Sequence, residues 1–544
     1  LGGVAGSVYS LAVSDCKNEG EIIYNVQTND SGVCKAFYLG GALGAVIPSA
    51  AGELGYENIS NTAPIIVNGT PAAVALKTGG AAGRNNASRD DMTDANRIAI
   101  GGVAGRVIPS STSATTTMKG CSNSGSISAP DAGKIRYTAF GGVCGEIIAA
   151  SLVQSGCSNS GDISVARAYN DGTNLHLGGL VGFIPNKKFA DARISIVEGI
   201  NTGNISLSEI NNTIQEARAG GILGDMVSCS DTKYLTLVVE NCVNRGNISR
   251  TSNKRFASQS FGGGIVGAIG AGTWSYNSTF SYYNALVKNC ENYGTIQFDA
   301  CNSKGKAVAE TTYNESATGG IIGGIRGCIA SNGTECPAVV ESCRNYGEVK
   351  GCSGFLGGIC GIISYYGKIT GTPASPCLNE GAIGLRRLTN GNPDTEPASY
   401  ADDLTTCGGI TGELFQGKLP TGGSNPATMG YNVYCDNAVN KGTVGGKLAA
   451  GGIAGHFNEG KSTQQDILSC ANSGTVYGFY GNAGAITGSE LTVDETLGRV
   501  RSCKVGGTVV RGTESNVLAQ DNFYNFIYQK AVGDDGLNTY WDGK

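Results

Sequence analysis

Gly451-Gly-Ile453-Ala-Gly455 and, after it, Cys470-Ala-Asn472-Ser-Gly474-Thr-Val476 decide the fold, because both segments recur along the whole chain. The first reads Gly-Gly-apolar-x-Gly and starts at Gly2, Gly40, Gly101, Gly141, Gly178, Gly220, Gly263, Gly323, Gly357, Gly408, Gly451 and Gly484. The second reads Cys-x-Asn-x-Gly-x-Ile/Val. Its clearest copies are Cys121-Ser-Asn123-Ser-Gly125-Ser-Ile127, Cys157-Ser-Asn159-Ser-Gly161-Asp-Ile163 and Cys290-Glu-Asn292-Tyr-Gly294-Thr-Ile296. Cys242 with Asn244 and Cys343 with Asn345 repeat the pattern. The closing position is Ile or Val in every copy from Ile22 to Val509. Asn yields once, at Val505, and Gly once, at Ala63, while Cys is replaced by Ile59, Gly199 and Ala438. Recurrence on this scale marks an architecture of stacked units, with variable connecting loops.

In the second segment Cys, Asn, Gly and Ile share one parity, and in the first segment the outer glycines and the apolar residue do too. Residues two apart lie on one face of a strand. The intervening positions are mostly polar, as a solvated face requires, and the abundant Gly without a 3.6-residue period argues against helix. The expected fold is all-β, a right-handed parallel β-solenoid (β-helix) of about twelve coils. Each coil is read as two or three short strands, and the rod as roughly 55 Å long at the ~4.8 Å inter-strand spacing. Gly would stand where the chain turns or opposing walls approach. Stacked Asn would hydrogen-bond from coil to coil. The solenoid is expected over residues 1–509, continuing upstream of residue 1, with residues 510–544 as a cap rich in aromatics such as Phe523, Tyr524, Tyr540 and Trp541. A β-propeller is the rival layout, but twelve blades exceed the usual number.

The 544 residues include 86 Gly and only 15% charged residues, with 39 Lys+Arg against 44 Asp+Glu for a net charge of −5. No basic stripe is present to neutralise phosphates, so no nucleic-acid partner is expected. The longest uncharged apolar stretch, residues 36–52, is too broken by Gly for a membrane span. The two histidines, His176 and His456, are far apart in sequence, which leaves little for a zinc site or a His-based triad. No cofactor is expected.

The paired segments resemble the GLUG-type repeats of bacterial surface proteins. Gly178-Gly-Leu180-Val-Gly182 matches their opening, while Cys-x-Asn-x-Gly departs from their closing segment. The resemblance implies secretion, an extracellular or cell-surface location and an adhesin-like role, and it brings no catalytic residue.

Nine cysteines occupy the repeat slot: Cys16, Cys121, Cys157, Cys242, Cys290, Cys343, Cys377, Cys470 and Cys503. Ile, Gly and Ala as substitutes indicate a small inward apolar slot. Coil-to-coil disulfides are the alternative, although equivalent side chains in stacked strands point in parallel. Cys328, Cys336, Cys352 and Cys360 form a separate cluster in which one or two bridges are possible.

Binding in repeat scaffolds sits on insertions. In the one at 268–289, Trp274, Tyr276, Phe280 and Tyr282 share parity and would present one aromatic face, suited to a cell-surface glycan or protein ligand or else to packing on the coil flank. Other partners would be further domains of the same chain, or an assembly partner at the solenoid ends. The expected function is the non-enzymatic rod of a surface adhesin or appendage. A surface glycan-binding protein is second, and a polysaccharide lyase or hydrolase third. The third needs convergent carboxylates, and Asp90-Asp91, Asp402-Asp403 and Asp534-Asp535 lack the companion motifs of such enzymes.

Overall fold

The computed structural model describes residues 1–9, 11–25, 37–48, 52–68, 97–108, 114–130, 137–148, 151–167, 174–185, 192–209, 216–226, 234–252, 260–270, 283–298, 316–329, 334–351, 354–364, 366–384, 405–415, 432–446, 449–457, 464–478, 482–488, 498–512 and 517–518. They fall into two compact units, Leu1–Ser260 with Ile265–Ser275, and Phe261–Gly264 with Tyr276–Lys544. Each unit is a parallel β-solenoid. No helix among the described residues is long and apolar enough to cross a membrane.

A coil of the first unit runs through Tyr137–Gly141, Cys144–Ile147, Ser151–Ser155, Ser158–Asn159 and Ile163–Arg167. We call the sheets built from these five strand positions I to V. Equivalent strands pair in parallel from coil to coil: Ile100 with Phe140 and Leu177 in sheet I, Asn123 with Asn159 and Asn201 in sheet IV, and Ile127 with Ile163 and Ile205 in sheet V. The second unit repeats the scheme, as in Thr405–Gly408, Thr411–Phe415, Asn432–Asp436, Ala438–Asn440 and Val444–Gly446. Antiparallel pairing occurs in the hairpin of Cys328–Ile329 with Glu335–Cys336, and where Val517–Leu518 folds back on Val509–Gly512.

A full coil therefore has five strands, not two or three. Corners break up both repeated segments without disturbing parity: Cys121, Asn123, Gly125 and Ile127 are all buried, and the residues between them are not. At the corner before the cysteine slot the chain takes a left-handed conformation, with φ of 56° at Asp15, 54° at Asn58, 63° at Gly120, 59° at Gly156 and 55° at Asn241. Asn, Asp and Gly tolerate this region best. The register also moves the eighth copy of the first segment. Gly319 pairs with Gly357, so that copy is Gly319-Gly-Ile321-Ile-Gly323 and does not start at Gly323.

Inside, the closing Ile of the second segment (Ile127, Ile163, Ile205, Ile248) is fully buried, and each such side chain contributes about 1.5–3 kcal/mol. Beside this column runs an amide ladder. In the first unit Asn18 donates its Nδ2 to Asn61 Oδ1 at 2.8 Å, Asn61 to Asn123 at 2.8 Å, Asn123 to Asn159 at 2.8 Å, Asn159 to Asn201 at 2.9 Å and Asn201 to Asn244 at 2.8 Å. In the second, Asn292, Asn345, Asn379, Asn440 and Asn472 continue the pattern at 2.8 Å per step. The other Nδ2 hydrogen goes to the carbonyl two residues on, for example Asn159 to Gly161 at 2.9 Å. The ladder expected from the sequence is thus present, and the donor in each of these Asn-to-Asn steps uses both N–H groups.

The second glycine of the first segment faces this ladder across the same coil. A Cβ placed on Gly142 would lie 2.3 Å from Asn159 Cγ and 2.0 Å from the Gly179 carbonyl oxygen. The two repeated segments are opposing walls of one narrow interior, and only glycine lets them meet.

The cysteine slot is occupied by free, buried thiols, except that Cys16 is half-exposed. Seven of them point at a sheet III carbonyl of the preceding coil, as Cys121 does to Tyr56 O at 3.4 Å and Cys343 to Val287 O at 3.4 Å, whereas Cys16 meets Ser14 O of its own coil. Of the separate cysteine cluster, Cys336 and Cys360 are free thiols. Cys328 stands opposite Cys336 in the hairpin register, and Cys352 lies outside the described residues.

Removing one rung should be costly. Asn159→Ala strands the Asn123 donor and two acceptors, at about 1–3 kcal/mol per buried unsatisfied group. Urea unfolding should show a loss of about 3 kcal/mol or more. Asn472→Val should cost clearly less, because the next residue in the column is Val505, which has no side-chain acceptor for it.

Candidate functional site

The four aromatics singled out in the sequence, Trp274, Tyr276, Phe280 and Tyr282, lie outside the described residues, as do the pairs Asp90-Asp91, Asp402-Asp403 and Asp534-Asp535 and the aromatics of the 510–544 tail. What the described residues bring together is a polar cluster that sequence reading missed.

It arises from the Gly-Gly corner. A Cβ on Gly141 would sit 2.8 Å from the Gly182 nitrogen, and one on Gly145 would sit 2.5 Å from the Ile100 nitrogen. The outer faces of sheets I and II therefore meet backbone to backbone, forming a closed notch. Outward-pointing side chains next to that corner are buried there instead of solvated. This corrects the expectation that the alternate positions of these strands face water.

In the first unit the notch holds Tyr38, Ala99, Ala139, His176 and Arg218 from sheet I. Facing them from sheet II are Ala45, Arg106, Glu146, Phe183 and Asp225. Arg106 Nε meets Glu146 Oε2 at 2.7 Å, both side chains being nearly inaccessible. The Arg106 guanidinium also lies 4.5 Å from the Tyr38 ring centroid and donates to its hydroxyl. The His176 ring stacks on Phe183 with centroids 4.0 Å apart. Asp225 Oδ2 receives Arg218 Nη1 at 2.5 Å and approaches His176 Nδ1 at 3.2 Å.

Burial alone would raise the Asp225 carboxyl, but the Arg218 charge and the His176 hydrogen bond outweigh it and hold the group below the ordinary aspartate value. A His–Asp pair would suit acid–base chemistry if substrate could reach it. Here His176 is 2% exposed and Asp225 0%, so the arrangement works as a seal between two sheets. Buried ion pairs of this kind add little net stability, yet removing one partner is costly.

The second unit fills its notch differently. Phe261 lies over Gly324, where an added Cβ would be 2.7 Å from the ring. Ile362 follows in sheet II, then Glu413 and His456. His456 Nδ1 is 3.0 Å from Glu413 Oε1, with the histidine side chain 38% exposed. Both histidines of the chain thus sit beside carboxylates. No group of three or more His, Cys, Asp or Glu among the described residues is arranged to hold a metal ion.

No family model matches the chain, and no curated protein does. The resemblance to GLUG-type repeats rests on the quoted segments alone. One similar solved structure is named as a "putative immunoglobulin A1 protease" from Bacteroides ovatus. It is 15% identical over 62% of this chain and 74% of that one, with a TM-score of 0.31. The solenoid assignment rests on this chain's own sheets and register.

The Asp225 site has a definite pH signature. Its folded pKa lies below the unfolded value of ~3.9, so its contribution is complete above that value and is lost as pH falls through the folded one. Asp225→Asn should destabilise the first unit by about 3–5 kcal/mol at neutral pH, since it leaves Arg218 buried without its counter-charge. Urea unfolding at pH 7 and at pH 3 should show the gap from wild type closing in acid.

Proposed function

We propose that this chain is a non-enzymatic structural segment of an extracellular cell-surface adhesin or appendage. The observation that carries the reading is where its chemically capable side chains go. The Asn column is consumed by the amide ladder. Arg106, Glu146, His176, Arg218 and Asp225 are sealed in the notch, and the slot thiols are directed at backbone carbonyls. Within each unit these groups link one coil to the next and leave the faces of the coils without a convergent reactive set among the described residues.

Such stacking makes each coil's stability depend on its neighbours. It suits a scaffold that presents loops while resisting local opening. A glycan-binding role would then fall to the insertion carrying Trp274, Tyr276, Phe280 and Tyr282, since four aromatics of one parity provide a face for sugar rings. That is the second reading.

Affinity electrophoresis of residues 1–544 through native gels containing a panel of polysaccharides separates the two. The scaffold reading expects uniform migration. Retardation by one polymer, abolished by Trp274→Ala with Tyr276→Ala while the chain still folds, would transfer the function to the insertion. Release of reducing or unsaturated sugar ends would overturn both.

A further inference from the structure

Seven of the slot cysteines each sit above one inward side chain of sheet III in the coil before them. The carbonyls that these thiols approach identify the partner: Tyr56 for Cys121, Met118 for Cys157, Ile196 for Cys242, Val287 for Cys343, Val340 for Cys377, Cys435 for Cys470 and Ile467 for Cys503. In this series the residue beneath is itself a cysteine once, at Cys435. The two sulfur atoms there are 3.7 Å apart, and both residues are fully buried.

The objection to bridging equivalent slot cysteines does not apply to this pair. Cys435 belongs to the sheet III strand Asn432–Asp436, where it pairs with Ile467, whereas Cys470 lies beyond the left-handed corner at Ser469, φ 51°. The side chains therefore approach from two different walls of the coil. The regular slot of the earlier coil holds Ala438, which pairs with the slot residue Cys377 of the coil before it. Its small side chain leaves room for the Cys435 thiol.

We propose that Cys435 and Cys470 are a disulfide site that ties two successive coils of the second unit together. The structure shows its reduced form. Oxidation removes two protons and two electrons from the two thiols and requires an external disulfide, either a low-molecular-weight one or that of a thiol–disulfide oxidoreductase. One thiolate attacks the external disulfide and expels a thiol. The second thiolate then attacks the mixed disulfide, forming the Cys435–Cys470 bond and releasing the second thiol. Burial pushes the Cys470 thiol well above its ordinary range, and contact with Cys435 adds to the shift. Exchange therefore belongs to the stage before these coils close over each other, and the finished bond would be shielded from reductant.

The test is oxidative refolding of the full chain in a glutathione redox buffer, followed by alkylation and tryptic peptide mapping without reduction. Lys441, Lys447 and Lys461 separate the two cysteines into different peptides, and Arg499 and Arg501 separate Cys470 from Cys503. The expected result is a peptide linked through Cys435 and Cys470, together with a Tm several degrees above that of protein refolded in reductant. In Cys435→Ala that redox-dependent difference should disappear. Recovery of both residues as alkylated thiols, or of Cys470 linked to Cys503 instead, would overturn the proposal. The wild-type map decides the matter even if the variant does not fold.

Discussion

The structure depends on the meeting of an asparagine and a glycine across a few ångströms of interior. The Asn side chain must lie flat against the opposite wall to reach both its own downstream carbonyl and the next Asn, and the opposing Gly-Gly corner leaves it only that much room. A Cβ on the corner would strike the amide, and an apolar side chain in place of the amide would leave its neighbours' polar groups without partners. Each of the two repeated segments is therefore conditioned on the other, and the pair is copied coil by coil because a single mismatched coil would interrupt the ladder on both sides.

The closed notch is the complementary feature. A simple solenoid has one inside and one outside, but here the Gly-Gly corner folds sheets I and II back to back, so part of the outside becomes a second interior. Its contents differ between the units: ion pairs and a stacked histidine in the first, Phe261, Ile362 and a carboxylate–histidine pair in the second. Backbone contact at the vertex is common to both. Only the side chains further out along the strands vary, as expected where the glycine positions fix the geometry and the remaining positions need only fill the space without unpaired charge.

Much of this was legible in the sequence. The parity of Cys121, Asn123, Gly125 and Ile127 correctly placed one wall, and the recurrence of Asn pointed to a ladder. The number of strands per coil was not legible, because the exposed residues at the corners, such as Ser124 and Ser126, preserve the alternation of an unbroken strand. The eighth copy was misplaced since Gly319-Gly-Ile321-Ile-Gly323 overlaps a second match starting at Gly323, and only pairing with Gly357 separates them. The notch was missed because a buried Arg106 or Glu146 reads in sequence like a surface charge. Its trace was there, in opposite charges at the same repeat position of successive coils and in Ala, Phe and His alternating with Leu and Ile beside the Gly-Gly pair. The left-handed corner left a visible column of Asp15, Asn58, Gly120, Gly156 and Asn241, although Glu198, at φ 56°, does not fit it by residue type.

Length variation is concentrated at two seams. The connection from sheet IV to V keeps a constant length and that from III to IV is one or two residues except at 371–376, whereas the spans 26–36, 69–96, 168–173 and 385–404 lead into sheet I, and 109–113, 186–191, 271–282 and 416–431 leave sheet II. Sheets I and II are the two walls of the notch, so both families of inserts are anchored at its two lips. Within each unit, new sequence can be added along that one margin without disturbing the ladder on the far wall. The fold thus separates a margin open to sequence change from a spine that tolerates almost none, and a recognition surface gained or lost at the margin would leave the coil count and register untouched.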